Sequence, residues 1–163
     1  MQVLSRYYSI VVLSALMVFF LSCNNDTLDE LPASDERAIW TGPTVTFEKI
    51  DGTDPNVEAN QDRITDNVWI TRSNDGVQIY NIRVESNPSK QDSPVGTLWA
   101  QGTIDNADGL EFQNFRDAVE SPRTVVGKDL VALLVEDNIL LSVRFTRWSD
   151  NKGGGFAYER SSQ

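Results

Sequence analysis

The chain has no histidine and only one cysteine, Cys23, in 163 residues. Without histidine it lacks the commonest general base and the usual protein ligand for zinc or copper. With a single cysteine it cannot form an internal disulfide, so a folded domain must be stabilised by packing alone. A chain of this length is sufficient for one domain with a genuine core.

Positive charge is scarce. Lysine and arginine total 14 against 24 aspartates and glutamates, which gives a formal net charge of −10. The basic residue Arg6 precedes the cleavage point predicted below, so the mature chain carries a net charge of about −11. This balance argues against nucleic acid as a partner, because such binding depends on cations that neutralise phosphates. It equally disfavours an electrostatic attraction to anionic lipids.

One long apolar run is present, at residues 9–21, after Arg6 and just before Ser22 and Cys23. A helix of about 15 residues would cover only ~22 Å, which is short of a hydrocarbon core of ~30 Å. A basic residue near the N-terminus, an apolar run and a small residue just before the cleavage point are together typical of a secretory signal peptide. A single-pass anchor and an ordinary signal cut after Cys23 remain as alternatives.

The residues Phe20, Leu21, Ser22 and Cys23 resemble a lipobox. The resemblance implies cleavage after Ser22 and a diacylglycerol lipid, with fatty acids such as palmitate, on the sulfur of Cys23. The predicted organisation is a signal peptide at 1–22, a lipidated tether at 23–37 and a folded domain at 38–163. A lipidated Cys23 would also leave the chain without a thiol nucleophile.

The tether segment is polar and acidic, and includes Asp26, Asp29 and Glu30. Such a composition cannot bury enough apolar surface to fold, so we expect a flexible linker. An acidic run directly after the cysteine resembles the export signal of surface lipoproteins in Bacteroidota. It implies an outer-membrane protein that faces the cell exterior; the alternative is a linker that is merely solvated.

The remaining sequence consists of short β-type runs separated by turn residues. Asp75-Gly76 predicts a hairpin, 130–135 and 139–145 predict a central hairpin buried on both faces, and 112–119 has the spacing of a short helix. We therefore predict an all-β fold, an antiparallel β-sandwich of about eight strands with one short helix. A jelly-roll-like topology is the preferred form.

A set of motifs from residue 62 to the C-terminus resembles a β-module that recurs in secreted and surface proteins of bacteria, Bacteroidota included. The motifs are Arg63-Ile64-Thr65, Val68-Trp69-Ile70-Thr71-Arg72, Tyr80-Asn81, Gly96-Thr97-Leu98-Trp99-Ala100, Gly102-Thr103, Phe145-Thr146-Arg147-Trp148 and Gly153-Gly154-Gly155-Phe156-Ala157-Tyr158. The resemblance implies an extracellular module, and it carries over no activity and no functional residue.

Aromatic residues provide the main candidate for a binding site. Trp148 ends a predicted strand beside a polar, glycine-rich loop, with Arg147, Asp150 and Asn151 nearby. Exposed indoles can stack on sugar rings while polar side chains bind the hydroxyl groups. The alternative is that Trp148 closes the core beneath the loop. In that case the three glycines at 153–155 simply let backbone segments come close together.

Acidic loops are candidates for a metal site. Asp105 and Asp108 present oxygen atoms of the kind that calcium prefers, although the spacing of a twelve-residue calcium loop is absent. Aspartate and asparagine are also the residues that turns require, and we favour that interpretation, with no cofactor beyond the lipid.

These features together favour a non-catalytic extracellular binding module for a glycan or another ligand. A structural or accessory subunit of an envelope assembly is the main alternative. A hydrolase would have to use paired carboxylates, and we do not expect an enzyme.

Overall fold

The computed structural model describes residues 37–150 and 152–163. The predicted signal peptide, Cys23 and the acidic part of the tether lie outside these residues, as does Asn151. The described chain forms nine strands and one short α-helix: β1 (Ala38–Trp40), β2 (Val45–Lys49), β3 (Asp62–Arg63), β4 (Trp69–Arg72), β5 (Ile79–Asn81), β6 (Thr97–Gln101), α1 (Phe115–Val119), β7 (Asp129–Leu134), β8 (Ile139–Trp148) and β9 (Phe156–Arg160). The predicted all-β class is confirmed.

Six strands form the larger sheet, in the order β2-β9-β8-β7-β6, with β1 parallel to the first three residues of β8. The other pairings in this sheet are antiparallel. Strands β6, β7, β8 and β9 are neighbours in the sheet in the same order as in the chain, so they form a meander. This order corrects the jelly-roll expectation, since a jelly roll builds two Greek keys from eight strands.

The smaller sheet has the order β3-β4-β5, and both of its pairings are antiparallel. The turn between β4 and β5 contains Asp75 and Gly76, as the sequence predicts. Gly76 has a φ of +86°, a conformation that side chains with a Cβ rarely adopt. Arg72 and Ile79 face each other across this hairpin, which sets its register.

One hydrophobic cluster draws side chains from both sheets and from α1. Its members, 0–3% exposed, are Val68, Ile70 and Ile79 from the smaller-sheet region, together with Trp99, Phe115, Ala118, Val119, Val125, Leu130, Ala132, Leu134, Leu141, Val143, Phe145, Phe156 and Tyr158. Trp99, 2% exposed, is therefore a core residue. Phe145 lies near the middle of this cluster and contacts Trp99, Phe115, Trp148 and Tyr158.

The opposite face of the central hairpin is buried as well. Val131, Leu133 and Leu140 form a second cluster with Ala107, which belongs to a 3₁₀ turn at Ile104–Gly109. Side chains alternate across a strand, so β7 supplies Leu130, Ala132 and Leu134 to one face and Val131 and Leu133 to the other. The prediction of a hairpin buried on both faces is confirmed.

The helix is shorter than its apolar spacing predicts. Residues 112–119 were expected to be helical, whereas α1 begins at Phe115. Gln113 instead pairs with Trp99, each N–H donating to the carbonyl of the other at 2.9 and 2.8 Å. This bridge keeps Phe112 and Gln113 extended at the side of β6, and the helix forms only after Asn114. No helix formed by the described residues is both long and apolar enough to cross a membrane.

Candidate ligand-binding pocket

Trp148, the last residue of β8, is half-buried and packs against the main core. Its ring centroid lies 5.7 Å from that of Phe145, 6.2 Å from Phe115 and 6.4 Å from Phe156. The indole therefore closes this end of the core, which is one of the two roles that the sequence left open.

The guanidinium of Arg72 lies over the Trp148 ring at 4.0 Å. Arg72 is only 2% exposed, and its Nε and Nη1 donate to the carbonyl oxygens of Val77, Ser149 and Gly155 at 2.7, 3.0 and 3.0 Å. Burial lowers the pKa of Arg72 to about 10, although the carboxylates of Asp51, Asp150 and Asp75 act in the opposite sense. The side chain remains a fixed cation at neutral pH and occupies part of the ring that a stacked sugar would need.

Arg147 does not share this site, although it precedes Trp148 in the sequence. Its guanidinium contacts Glu48 at 3.2 Å and Asp51 at 3.7 Å, and it donates to the carbonyl of Lys49 at 2.6 Å. Neighbouring residues of a strand point to opposite faces of the sheet. The two side chains that the sequence grouped are therefore directed to different surroundings.

A pocket of about 440 Å³ opens where β4, β5, α1 and the end of β8 meet. Trp148 and Asp150, both predicted for a binding site, line it, whereas Asn151 lies outside the described residues. The pocket also collects four cations that the sequence did not point to: Arg72, Lys90, Arg116 and Arg123. Asp75 and Asp150 are the acids in its lining. We call this site the Trp148 pocket.

Gln78 forms part of the lining and is 1% exposed. Its amide nitrogen donates to the carbonyl oxygens of Ser89 and Ser93 at 2.6 and 2.8 Å, which fixes the orientation of the amide. Its Oε1 is buried and accepts no hydrogen bond. An unsatisfied buried acceptor costs about 1–3 kcal/mol, and because Oε1 is shielded from solvent, a ligand in the pocket does not reach it.

Arg116 reaches the pocket from α1, which Phe115 and Val119 hold against the core. Its Nε is shielded from solvent and has no hydrogen-bond partner. Arg123 follows Pro122 in a 3₁₀ turn just after the helix, and is exposed. Two arginines from consecutive short elements therefore border the same opening.

The loop that carries Lys90 is held by buried polar side chains. Asn81, 1% exposed, donates from its amide to the carbonyls of Asn67 and Val95 at 2.9 and 3.0 Å. Glu85 accepts from the backbone N–H of Asn81 at 2.7 Å and from that of Val95 at 2.9 Å. With the bonds from Gln78, these contacts pre-form this side of the pocket.

The three glycines at 153–155 permit a close approach of backbones. A Cβ on Gly154, whose φ is +71°, would lie 2.3 Å from the carbonyl oxygen of Ser73. A Cβ on Gly155 would lie 2.4 Å from the carboxylate of Asp51. The N–H of Gly155 donates to Asp51 at 2.8 Å, and this bond is the main reason that the pKa of Asp51 is lowered. The glycines thus serve the structural role that the sequence left open.

Lys49 lies beneath the same loop with an exposure of 0%. Its Nζ donates to the amide oxygen of Asn74 at 3.0 Å and to the carbonyl of Gly154 at 3.4 Å. Burial, followed by the nearby charge of Arg72, lowers the pKa of Lys49. Its surroundings are fully occupied by protein groups, so Lys49 supports the loop and does not line the Trp148 pocket.

The candidate metal residues Asp105 and Asp108 are both exposed and belong to the same 3₁₀ turn. They line a separate pocket with Ile39 and Thr41. The described part of the chain contains no group of three or more histidine, cysteine, aspartate or glutamate residues placed to hold a metal ion. Calcium binding at Asp105 and Asp108 is therefore left untested, and a role in turn formation remains the favoured interpretation of these residues.

Another pocket, of about 460 Å³, is lined by Trp40 and Trp69. Trp69, the first residue of β4, is half-buried. The guanidinium groups of Arg63 and Arg83 lie 4.2 and 5.4 Å from its ring. Since two cations already contact the indole of Trp69, this pocket is a weak candidate for stacking a sugar ring.

We found no match between the chain and any protein-family model, curated protein or solved structure. The function therefore has to be inferred from the Trp148 pocket itself.

Proposed function

We propose that this chain is a lipid-anchored, surface-displayed binding module without a catalytic role, and that the Trp148 pocket binds an anionic extracellular ligand. The observation that carries this proposal is the presence of Arg72, Lys90, Arg116 and Arg123 around one cavity. The whole chain has a formal net charge of −10, so its long-range field repels anions. Cations gathered at one place in such a chain act at short range, on a ligand that fits between them.

Pre-organisation supports binding at this site. The cation of Arg72 is fixed by three backbone carbonyls, and the loop of Lys90 is fixed by Gln78, Asn81 and Glu85. A rigid site loses little conformational entropy when a ligand arrives. Arg116 adds a second reason, because its half-buried side chain lines the opening and has no ion-pair partner among the described residues.

The anchoring part of the proposal depends on Cys23 and on the acidic residues after it. A lipid on Cys23 would hold the acidic domain at a membrane that it does not attract electrostatically. We expect labelled palmitate to be incorporated into the wild-type chain in bacterial cells and not into Cys23→Ser. Protease added to intact cells should degrade the wild-type protein; full protection of a labelled protein would instead place it on the periplasmic side.

Binding can be measured by calorimetry with the lipidated protein in a neutral detergent. The panel would contain a polyuronate, a sulfated polysaccharide, inorganic phosphate and a neutral polysaccharide. We expect an anionic member to bind, and Arg116→Gln to weaken that binding about tenfold, since a charge-assisted hydrogen bond contributes about 1.5–3 kcal/mol. Arg144→Gln is the matched control, because Arg144 pairs with Asp129 outside the pocket lining. Absence of binding by every anion, or equal loss in both variants, would contradict the proposal.

The main alternative, a subunit of an envelope assembly, would be indicated by a stable protein partner after crosslinking in intact cells.

A hydrolase would need two facing carboxylates, and Asp75 and Asp150 both line the pocket. Burial acts to raise the pKa of Asp75, but hydrogen bonds from Ser73 and from the N–H of Val77 act more strongly in the opposite direction. The pKa of Asp75 is therefore lowered overall. A general acid requires the opposite shift, so Asp75 suits binding better than acid catalysis.

A further inference from the structure

The charges of the Trp148 pocket belong to two sets of residues on different elements. The basic trio is Lys90 in the loop after β5, Arg116 on α1 and Arg123 in the 3₁₀ turn that follows α1. The acidic pair is Asp75 in the turn between β4 and β5, and Asp150 after the end of β8. No ion pair formed by the described residues joins the acidic pair to the basic trio. The two sets therefore do not neutralise each other by direct contact.

The acidic pair acts instead on Arg72, the fourth cation of the lining. Burial lowers the pKa of Arg72, and the carboxylates of Asp51, Asp150 and Asp75 act in the opposite sense. Arg72 is buried, whereas Asp75 and Asp150 are both exposed. Two exposed carboxylates outnumber one buried guanidinium, so this part of the pocket keeps a negative charge.

The basic trio keeps its positive charge. Arg116 is half-buried, and Lys90 and Arg123 are exposed. None of the three takes part in an ion pair within the part of the chain that the structure describes. Arginine and lysine bind phosphate and carboxylate groups alike, so the trio attracts an anionic group without selecting its kind.

The cavity is small enough for both sets to act on one ligand. Its volume is about 440 Å³. A sphere of that volume is about 9 Å across, close to the screening length of about 8 Å in physiological salt. An anion held by the basic trio is therefore repelled by the acidic pair. An ammonium group on the same ligand would replace that repulsion with attraction.

We infer that the Trp148 pocket binds a ligand with both an anionic group and an ammonium group, the first at the basic trio and the second at the acidic pair. This inference rests on the proposed function, because it names the ligand class of the same site. Two sources share this chemistry, phosphoethanolamine groups and amino sugars that carry an acidic group. In both, a few bonds separate the two charges, which suits a cavity of this size.

The test uses pairs of ligands that differ only in the ammonium group. Phosphorylethanolamine is compared with 2-hydroxyethyl phosphate, and glucosamine 6-phosphate with glucose 6-phosphate, by calorimetry on the lipidated protein. We expect at least one amine to bind at least about fivefold more tightly than its hydroxyl partner, which is the contribution of a partly exposed ion pair. The pair that shows the difference identifies the source. Equal affinity within both pairs would overturn the inference.

Asp150→Asn tests the acidic pair, because it removes one charge from an exposed side chain and keeps its shape. We expect it to weaken binding of the preferred amine about fivefold, and not to weaken binding of the hydroxyl partner. Asp129→Asn is the matched control, because Asp129 pairs with Arg144 outside the pocket lining. If Asp150→Asn changes both affinities by the same factor, or neither, the assignment of the ammonium group to the acidic pair is wrong.

The two proposals can fail separately. If amine and hydroxyl phosphates bind equally, and Arg123→Gln weakens all of them, the anion-binding function holds and the ammonium inference fails. If neither these phosphates, at about 10 mM, nor any anionic polysaccharide binds, both fail.

Discussion

Asp62 and Arg160 lie 98 residues apart in the sequence and form a bidentate ion pair inside the domain. Arg160 donates from Nε and Nη2 to the two carboxylate oxygens at 2.7 and 2.9 Å, and the hydroxyl of Tyr158 donates to the same carboxylate at 2.7 Å. Asp62 belongs to β3 of the smaller sheet and Arg160 to β9 of the larger one. This buried pair therefore joins the two sheets.

Asp62→Asn should destabilise the domain by about 3–5 kcal/mol, because it leaves the charge of Arg160 buried without its partner. The free energy of unfolding in urea measures the effect. Asp129→Asn is the matched control, since Asp129 pairs with Arg144 at the surface and the side chains are 59% and 49% exposed. We expect Asp129→Asn to lower the free energy of unfolding by only about 0–1 kcal/mol. Similar losses in the two variants would contradict the structural role given to the buried pair.

Tyr158 should make stability fall at alkaline pH. Burial and the carboxylate of Asp62 raise the pKa of Tyr158 well above 10.0 in the folded protein. An unfolded tyrosine loses its proton near pH 10, so above that pH the folded state binds more protons than the unfolded state. The contribution is complete below about pH 10 and is lost as pH rises further. The free energy of unfolding of Tyr158→Phe, measured with urea, should therefore fall less steeply between about pH 9 and 11 than that of the wild type. Parallel curves of this free energy against pH would exclude the mechanism.

Gly154→Ala should destabilise the domain more than Gly52→Ala. Both glycines have a positive φ, +71° and +76°, so both substitutions incur the conformational cost of that region. Only at Gly154 does the added Cβ meet backbone, 2.3 Å from the carbonyl oxygen of Ser73, whereas nothing lies within 4 Å at Gly52. We expect about 1 kcal/mol at Gly52 and a clearly larger loss at Gly154 in thermal unfolding. Equal losses would show that the loop at 153–155 can move away.

Phe145→Ala should cost about 3–5 kcal/mol, because a fully buried aromatic side chain is replaced by a cavity. Phe145 contacts Trp148, so ligand binding in the Trp148 pocket should weaken as well. Phe112→Ala is the control, since Phe112 is only partly buried and belongs to the other cluster. A binding loss in the control as large as that in Phe145→Ala would indicate general loosening of the fold.

Local sequence signals predicted much of the fold. The turn at Asp75 and Gly76 and the hairpin of β7 and β8 depend on residues that are close in the chain, so a local pattern predicts each of them. The helix was predicted too long because apolar spacing alone cannot show that Gln113 pairs with Trp99. The jelly-roll order was wrong because strand order depends on pairings between distant segments, such as β2 with β9.

The candidate site was only partly predictable. Trp148 and Asp150 were named from their position beside a polar loop, and both line the pocket. Arg147 was named with them because it is adjacent in the chain, but alternation along β8 directs it to Glu48 and Asp51. No local pattern marks Gln78 or Arg116, since what distinguishes each is a buried atom without a partner.

By itself, the amino-acid sequence determined the absence of histidine chemistry and internal disulfides, the acidic balance of the chain and its β-rich pattern, because these follow from composition and from spacing over a few residues. It also gave Cys23 and the acidic tether as a prediction that awaits palmitate labelling. Only the tertiary structure decided that Asp62 meets Arg160, that the glycines lie against Ser73 and Asp51, and that cations from separate segments line the Trp148 pocket. Those contacts depend on how distant segments pack together, and no short stretch of sequence contains that information.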